Sequence, residues 1–401
     1  MQAICSRKDL YEAVQTVGRA VSGRSTLPIL SHILAQPLGD GRLKLVATDL
    51  EMWMECSLPT RMTLGLGEED DVAGFTAPAR VFTEMLAALP EGDISLDRPD
   101  GGNKIHARCG RSDFQLLGLP AEEFPASPEV EPTATLLIEG GNLKAMIKHV
   151  LFAVSTDETR VILTGVLLKV EGQSLKLVAT DTHRLAVRSG TLLNAEGGDT
   201  QAVIPARAMN ELLRLVGDED AVTISLAQGQ ARFEIHPSAG DKEDGAIEIA
   251  GLPGRKFRAS STTMVTRLIE GQFPNYERVI PTVTERKLTL ETGEFAKAVK
   301  RVAIVARDNS NRIVLETEGA QLVMKAESGT VGSVRDEVEV AREGDDITIA
   351  FNAKYLLDVL NAMDTEGVVL ELSEPLRPGI LRPIADNAPE YLCVLMPMQV
   401  I

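Results

Sequence analysis

An internal repeat constrains this chain more than any other feature. The heptapeptide LKLVATD occurs at residues 43–49 and again, letter for letter, at residues 175–181, which is 132 positions later. A degenerate third copy, QLVMKAE, lies at residues 321–327, 146 positions after the second. Self-similarity of this kind indicates copies of one structural unit. Each copy is rich in residues that favour a strand and follows a short polar turn, so we expect three equivalent strands.

Two helical patterns repeat on the same schedule. In the first, apolar residues stand at relative positions 0, 4, 7 and 11; in the second, they stand two, five, six and nine positions after a basic residue. Each pattern places one apolar stripe along a helix. Such helices, beside strands of alternating polarity, predict an α+β fold with helices packed on one side of a sheet in each module. The starting residues are Leu10, Leu143 and Phe295 for the first pattern, and Arg80, Arg207 and Lys354 for the second.

Proline-rich stretches separate the three modules. They lie at residues 120–132 and 274–284, where turns and linkers are expected. A segment rich in Gly, Asp and Glu at residues 236–258 is interpreted as a loop insertion in the second module. The predicted domains are therefore residues 1–126, 127–281 and 282–401.

Charge is distributed unevenly along the chain. The six predicted helices hold 11 Lys/Arg against 6 Asp/Glu, a net charge of +5, whereas the whole chain carries −17. Because each apolar stripe is buried, the basic side chains lie on the opposite face. Charges are screened over about 8 Å at physiological salt, and a wall of sheet and helix is about 10 Å thick. One face can therefore be acidic and the other basic.

Helices from several modules that faced a common axis would line a hole of modest positive charge. A polyanion could pass through such a hole without being held tightly, and its binding would depend strongly on salt. An ordinary solvated helix face is the alternative interpretation of each helix taken alone. The basic candidates are Arg80, Lys144, Lys148, Arg207, Arg214, Lys297, Lys300 and Arg301.

Other classes of protein lack support in the sequence. The N-terminal residues have no signal-peptide core, and no apolar run approaches the roughly 20 residues that span a bilayer, so we expect a cytoplasmic protein without a membrane partner. The four cysteines are scattered and no histidines are paired, so we expect neither a metal nor another cofactor. The cysteines are Cys5, Cys56, Cys109 and Cys393.

An enzyme is the main rival class. Asp49 and Asp181 could be taken for a catalytic pair, but they occupy equivalent positions of one repeat. Such positions predict equivalent structural turns in different modules. The chain also lacks a Walker A loop, a dinucleotide-binding glycine motif and a G-x-S-x-G motif. We therefore expect no catalytic residues.

Over essentially its whole length, the chain resembles the bacterial DNA polymerase III beta subunit family. The motifs that carry the resemblance are TLPIL at 26–30, ATDLEM at 47–52, GRS at 110–112, LP at 119–120, FP at 124–125, ATDTHRLA at 179–186, GQFPNY at 271–276, RV at 278–279, FN at 351–352 with Tyr355, and MPM at 396–398. Each is weak alone, but their order and spacing together are specific.

The resemblance implies a DNA sliding clamp that serves as processivity factor of the replicative polymerase. It implies a head-to-tail homodimer that closes into a ring, with twelve helices lining the hole and the sheets outside. The implied partners are double-stranded DNA, bound independently of sequence, the catalytic subunit of the replicative polymerase, the clamp loader, and other polymerases and repair proteins with clamp-binding motifs. A non-replicative paralogue that acts as a binding module is the remaining alternative.

The resemblance also implies particular sites. Arg24 would contact DNA, and Phe114 and Leu116 of one subunit would meet Ile304 and Val305 of the other. A pocket would capture the peptide motifs of partners. Its implied residues are Arg160, Leu163, Thr180, His183, Arg184, Leu185, Pro274, Arg278, Val279, Asn352, Tyr355, Leu376, Pro378, Val394, Leu395, Met396, Pro397 and Met398.

Three residues depart from the family pattern. Thr182 stands where Gly is frequent, Ile162 where an aromatic residue is frequent, and Gln399 where Arg is common. These departures bear on which peptides the implied pocket prefers.

Overall fold

A computed structural model describes residues 2–22, 27–38, 40–63, 74–98, 102–239, 247–249, 252, 255–258, 261–386 and 388–400. Its strands are β1 Gln2–Ser6, β2 His32–Leu38, β3 Arg42–Thr48, β4 Met52–Pro59, β5 Arg61–Thr63, β6 Phe75–Pro78, β7 Asp93–Asp97, β8 Lys104–Cys109, β9 Ser112–Leu117, β10 Ala134–Glu139, β11 Gly165–Glu171, β12 Ser174–Thr180, β13 Arg184–Thr191, β14 Asn194–Glu196, β15 Thr200–Pro205, β16 Ala221–Ala227, β17 Gln230–His236, β18 Thr262–Arg267, β19 Arg286–Glu291, β20 Arg312–Glu318, β21 Gln321–Ser328, β22 Gly332–Glu339, β23 Ala341–Glu343, β24 Thr348–Asn352, β25 Gly367–Leu372, β26 Gly379–Ile384 and β27 Tyr391–Leu395.

Six α-helices occur in this part of the chain, where the two repeated patterns predict them. They are α1 Arg7–Val17, α2 Ala79–Ala88, α3 Gly140–Leu151, α4 Ala206–Leu215, α5 Thr292–Ala306 and α6 Ala353–Ala362. The predicted stripes are mostly buried, but five of the six extend past their helices. Leu89, Val216 and Met363 lie one residue beyond the ends of α2, α4 and α6. Val21 follows a 3-10 turn at Gly18–Ala20, and Val154 lies three residues beyond the end of α3. Periodicity alone does not locate a helix end, because the turn that follows can continue the same spacing.

The chain divides into two compact units that differ from the predicted domains. The first comprises residues 1–141, 193–197 and 214–268, and the second comprises residues 142–192, 198–213 and 269–401. Both units therefore take strands from the middle module.

The first unit contains a five-stranded sheet, β5-β1-β7-β8-β9, and a nine-stranded sheet, β14-β10-β16-β17-β18-β4-β3-β2-β6. Helices α1 and α2 pack on each other, and α1 also packs on β3 and β4. The nine-stranded sheet passes from the first module into the second where β4 pairs with β18, with Met54 opposite Met264. A hydrogen-bonded sheet thus crosses a predicted domain boundary without interruption.

The second unit has the same plan. It contains the nine-stranded sheet β15-β11-β12-β13-β27-β26-β25-β19-β23 and the four-stranded sheet β22-β21-β20-β24. Helix α5 packs on α6 and against β21 and β22. Here β13 of the middle module pairs with β27 of the third, with Arg184 opposite Leu395.

The repeated heptapeptide forms the same structure twice. Its copies become β3 and β12, and each ends in a turn fixed by its aspartate. Asp49 Oδ1 accepts a hydrogen bond from the backbone N–H of Met52 at 2.9 Å, and Asp181 Oδ1 accepts one from that of Arg184 at 3.0 Å. Both aspartates are therefore used by their turns, as the repeat predicts.

The described residues of the 236–258 insertion pack on the sheet of the first unit. Phe257 is fully buried and exchanges two backbone hydrogen bonds with Ile247, both 2.9 Å long. Together with Leu252, it forms an apolar cluster with Leu137 of β10 and Ala221 of β16. This part of the insertion therefore adds to the core of its module.

Candidate functional site

Two adjoining cavities form a groove in the second unit. The first has a volume of about 150 Å³ and the second about 600 Å³, and both are bounded by Val279 and Met396. The first is also lined by Leu163, Thr180, Thr182, Arg184, Leu185, Pro274, Asn275, Tyr276 and Val394. The second is also lined by Arg278, Ile280, Pro281, Thr282, Val283, Ser373, Arg377 and Pro378.

The floor of the first cavity is apolar. Leu185 of β13 and Val394 of β27 stand opposite each other in the sheet and belong to one buried cluster with Leu163 and Tyr276. Residues paired across two strands share a face, so both side chains point toward the cavity. Burial raises the pKa of the Tyr276 hydroxyl, so the ring remains neutral at physiological pH. A cavity of this size and character accommodates one apolar side chain.

Arg184 is a buried cation at the edge of this floor, with 8% of its surface exposed. Its Nε donates to Asp181 Oδ2 at 3.0 Å, and its Nη1 donates to Asp358 Oδ2 at 2.5 Å. The guanidinium also lies 4.5 Å from the ring centre of Tyr355 and 5.3 Å from that of Phe152. Two carboxylates and two aromatic faces replace the water that this charge loses, so its position is fixed.

The C-terminal segment closes one side of the groove. The backbone N–H of Met396 donates to the carbonyl of His183 at 2.9 Å, and that of Met398 donates to the carbonyl of Ala350 at 2.7 Å. The ring of His183 stacks on Tyr355, with centroids 6.0 Å apart. These contacts hold Met396, a flexible and polarisable side chain, at the boundary between the two cavities.

Ten of the eighteen pocket residues implied by the resemblance line one or both cavities. They are Leu163, Thr180, Arg184, Leu185, Pro274, Arg278, Val279, Pro378, Val394 and Met396. Arg160, His183 and Tyr355 border the groove through their contacts with Thr182, Met396 and Arg184. Arg160 Nη1 donates to Thr182 Oγ1 at 3.1 Å.

Besides Arg160, His183 and Tyr355, five implied residues line neither cavity. Leu395 is 1% exposed and follows Val394 in β27, and successive residues of a strand face opposite sides, so Leu395 points away from the groove. Leu376 is 67% exposed. Asn352 caps α6, since its Oδ1 accepts from the N–H of Lys354 at 3.0 Å. The remaining two are Pro397 and Met398.

Several lining residues were not predicted. Asn275 and Tyr276 belong to the GQFPNY motif, so the signal was present, whereas Ser373 and Arg377 lie in a loop without a motif. Thr182 was noted only as a departure from the family pattern. Its backbone φ of +78°, unusual for a residue with a branched side chain, is visible only in the structure.

The basic helix residues lie mainly on exposed faces. Arg80, Lys148, Arg207, Arg214, Lys297, Lys300 and Arg301 are exposed, and Lys144 is half-buried. Ion pairs join Arg80 with Glu84, Lys148 with Asp364, Lys297 with Glu294, and Arg301 with Asp336. Exposed ion pairs contribute little to stability, so these cations can exchange their carboxylates for phosphates at small cost. Arg24 lies outside the described residues.

The residues predicted for the subunit contact lie on an edge strand and on a helix. Strand β9 is the last strand of the five-stranded sheet, and Phe114 on it is 39% exposed. Ile304 on α5 is 62% exposed and Val305 is half-buried. Leu116 is only 7% exposed, because its own unit already covers it, so it offers little surface to a partner.

The described residues contain neither a membrane-spanning helix nor a metal-ligand cluster. No described helix has both the length and the apolar character that a membrane span requires. Among the described residues, no three His, Cys, Asp or Glu side chains gather as a metal-ligand set, and all four cysteines are free thiols.

Comparison with known proteins gives this architecture a class. Family models of the DNA polymerase III beta subunit match in three consecutive segments: the N-terminal domain at residues 1–128, the central domain at 137–275 and the C-terminal domain at 277–399. The fold is thus that of a three-domain α+β DNA clamp.

Individual members of this family are similar to the chain in sequence and in structure. The chain is 32% identical to the Synechocystis protein named beta sliding clamp, over the full length of both, and 30% identical to that of Staphylococcus epidermidis, over 92% of each. A DNA polymerase III beta clamp from Pseudomonas aeruginosa, solved bound to griselimycin, superposes with a TM-score of 0.87 at 28% identity over both full lengths. The Bacillus subtilis clamp gives 0.85 at 27% identity, again over both full lengths. The chain belongs to the DNA polymerase III beta subunit family.

Proposed function

We propose that this protein is the DNA sliding clamp that makes the replicative DNA polymerase processive. The observation that carries the proposal is the uninterrupted match of all three family domains in order, across a chain whose internal repeat indicates the same threefold construction. The protein acts as a mobile tether, without catalysis or a cofactor of its own, in the cytoplasm.

Ring closure would use two edges that a single chain leaves unpaired. Edge strands β9 and β22 each present free backbone groups on one side. The β8–β9 hairpin exposes the bases Lys104, Arg108 and Arg111 and one acid, Asp113, whereas β22 exposes the acids Glu337 and Glu339 and one base, Arg335. Opposite charges and unpaired edges support a head-to-tail dimer in which β9 of one subunit meets β22 of the other. Phe114 would then pack against Ile304 and Val305.

The basic helix faces would line the hole of this ring. Their contacts with phosphates are few and carry no sequence information, so duplex DNA of any sequence can slide through. Each such contact weakens as salt rises. Retention on DNA would therefore come from topology, with the charges easing passage.

The groove would bind short extended segments of partner proteins. Its first cavity takes one apolar side chain, and the longer second cavity continues the path past Met396. The partners are the polymerase catalytic subunit, the clamp loader, and other polymerases and repair proteins that carry such segments. Because all of them would use one groove, they compete for it.

Retention on DNA at high salt tests the clamp function. The protein is incubated with its clamp loader and ATP on nicked circular DNA or on linear duplex, and bound protein is then measured in 1 M salt. Salt of about this concentration screens charges within 3 Å and removes electrostatic contacts, but it cannot unlink a closed ring. We expect retention on circles and loss from linear DNA. Equal salt-resistant retention on both would mean direct binding and would rule out the ring mechanism.

A further inference from the structure

Thr182 occupies a strained position at the groove. It lies in the turn between β12 and β13 with a φ of +78°, which is unfavourable for a β-branched side chain. The turn is held by Asp181, whose Oδ1 accepts from the N–H of His183 at 2.9 Å, and by Thr180, whose Oγ1 accepts from the N–H of Thr182 at 3.2 Å. Glycine would adopt this backbone without strain.

The equivalent turn in the first module shows what the repeat itself requires. Leu50 there has a φ of +76°, and its N–H donates to Thr48 Oγ1 at 2.9 Å. The positive φ therefore belongs to the turn and not to the residue. The two side chains have different surroundings. Leu50 packs against the buried cluster of Ile29 and Leu30, whereas Thr182 is exposed and lines the first cavity.

The side chain of Thr182 is held in place from outside the turn. Its Oγ1 accepts a hydrogen bond from Arg160 Nη1 at 3.1 Å, and Arg160 Nε in turn donates to Asp157 Oδ2 at 2.9 Å. Hydrogen bonds from Thr159, and then that from Arg160, lower the pKa of Asp157, so its carboxylate stays charged. These contacts restrict rotation of the Thr182 side chain, which therefore forms a fixed part of the cavity wall.

We propose that Thr182 determines the specificity of the groove: fixed by Arg160, it limits the first cavity to partner peptides with an aliphatic or phenyl-sized anchor and excludes an indole. Thr182 keeps a strained backbone although its side chain is exposed and packs in no apolar core. Strain of this kind is concentrated at functional sites, which supports a role of Thr182 in binding. The cavity of about 150 Å³ has room for a six-membered ring. A bicyclic ring would have to displace this wall. The inference rests on the proposed peptide-binding function of the groove.

Binding of two matched peptides tests the inference. The probe is a fluorescein-labelled peptide that contains the clamp-binding segment of the polymerase catalytic subunit; its anchor is the aliphatic residue whose replacement by Ala weakens binding most. The second peptide has Trp at that position. Fluorescence anisotropy with the full-length protein gives both dissociation constants. We expect the wild-type protein to bind the aliphatic peptide at least tenfold more tightly than the Trp peptide, as overpacking of a fixed cavity implies.

Three variants separate the possible causes. Thr182→Gly should tighten binding of the Trp peptide about tenfold and change the aliphatic peptide less than threefold. Thr182→Ser keeps the hydroxyl for Arg160, so its selectivity should stay nearer to wild type. Leu50→Gly is the matched control, because it relieves the backbone strain of the equivalent turn in the first module. Leu50 does not line the groove, so this variant should leave the selectivity unchanged.

The outcomes distinguish this inference from the proposed function. A selectivity of Thr182→Gly within twofold of wild type, or an equal change in Leu50→Gly, refutes the role of Thr182. Equal selectivity of the Ser and Gly variants refutes the role of the hydroxyl and of Arg160. If the wild-type protein binds neither peptide, it is the peptide-binding function of the groove that fails.

Discussion

Acid should destabilise the second unit through His149. This residue of α3 is 5% exposed, neither ring nitrogen has a hydrogen-bond partner, and its ring stacks on Tyr391 of β27 with centroids 4.4 Å apart. Burial, and then the positive charge of Arg188, lower the pKa of His149 from 6.5 to about 4. The carboxylate of Asp364 opposes this shift but lies 3.6 Å from Nε2, too far for a good hydrogen bond.

The direction of the pH effect follows from this pKa. The folded protein holds the proton less tightly than the unfolded chain, so the unfolded chain takes up more protons as the pH falls below about 6.5. Stability is complete above that pH and is lost toward pH 4. One unit of pKa corresponds to about 1.4 kcal/mol, and summing over the two protonation equilibria gives a loss of about 2.5 kcal/mol at pH 4.5.

The variant His149→Phe removes the titration and keeps the stacked ring. Urea unfolding followed by circular dichroism at pH 8, 6 and 4.5 would measure the free energy of unfolding of both proteins. At pH 8 the two should agree within about 1 kcal/mol, because the ring replaced is similar in size and made no hydrogen bond. At pH 4.5 the variant should be more stable than the wild type by about 2.5 kcal/mol. Parallel pH profiles of the two proteins would show that His149 does not carry the acid sensitivity.

Three further predictions concern the groove and the subunit contact. Replacing Arg184 by Ala should destabilise the protein by about 3 kcal/mol, since Asp181, whose side chain is only 13% exposed, would lose its cationic partner, and thermal unfolding checks this; a loss below about 1 kcal/mol would contradict the buried ion pair. Deleting residues 396–401 should abolish binding of the polymerase peptide with an unchanged circular dichroism spectrum, and unimpaired binding would remove the C-terminal segment from the site. The double variant Ile304→Ala and Val305→Ala should sediment as a monomer, and an unchanged mass would reject the proposed subunit contact.

The local structure could be predicted well because it depends on neighbouring residues. The identical heptapeptides gave identical turns, since Asp181 bonds to backbone groups only two and three residues away. The helix stripes were likewise visible, because an amphipathic helix repeats its contacts every three or four residues. The resemblance to a known family, which extends over the whole chain, implied ten of the residues that line the groove.

What could not be predicted depends on pairing between distant residues. Arg184 binds Asp358 across 174 positions, whereas a helical pattern in the sequence concerns only residues three or four positions apart. The joining of β4 to β18 is also non-local, and its register is set by the finished sheet. The side of the sheet to which Leu395 points depends on the same kind of register, so the sequence did not show that this side chain points away from the groove.

The pairing of β4 with β18 and of β13 with β27 also separates what was copied from what folds. The repeat is about 130 residues long, yet each nine-stranded sheet is completed by strands from two repeats. A fragment cut at a repeat boundary would leave a long sheet edge open to other chains and would tend to aggregate. Duplication therefore explains the three modules. Neighbouring modules then had to change together, because a substitution that disrupts the pairing of β4 with β18 or of β13 with β27 would break a sheet. In this protein the module is the segment that was duplicated, whereas each compact folded unit contains strands from two modules.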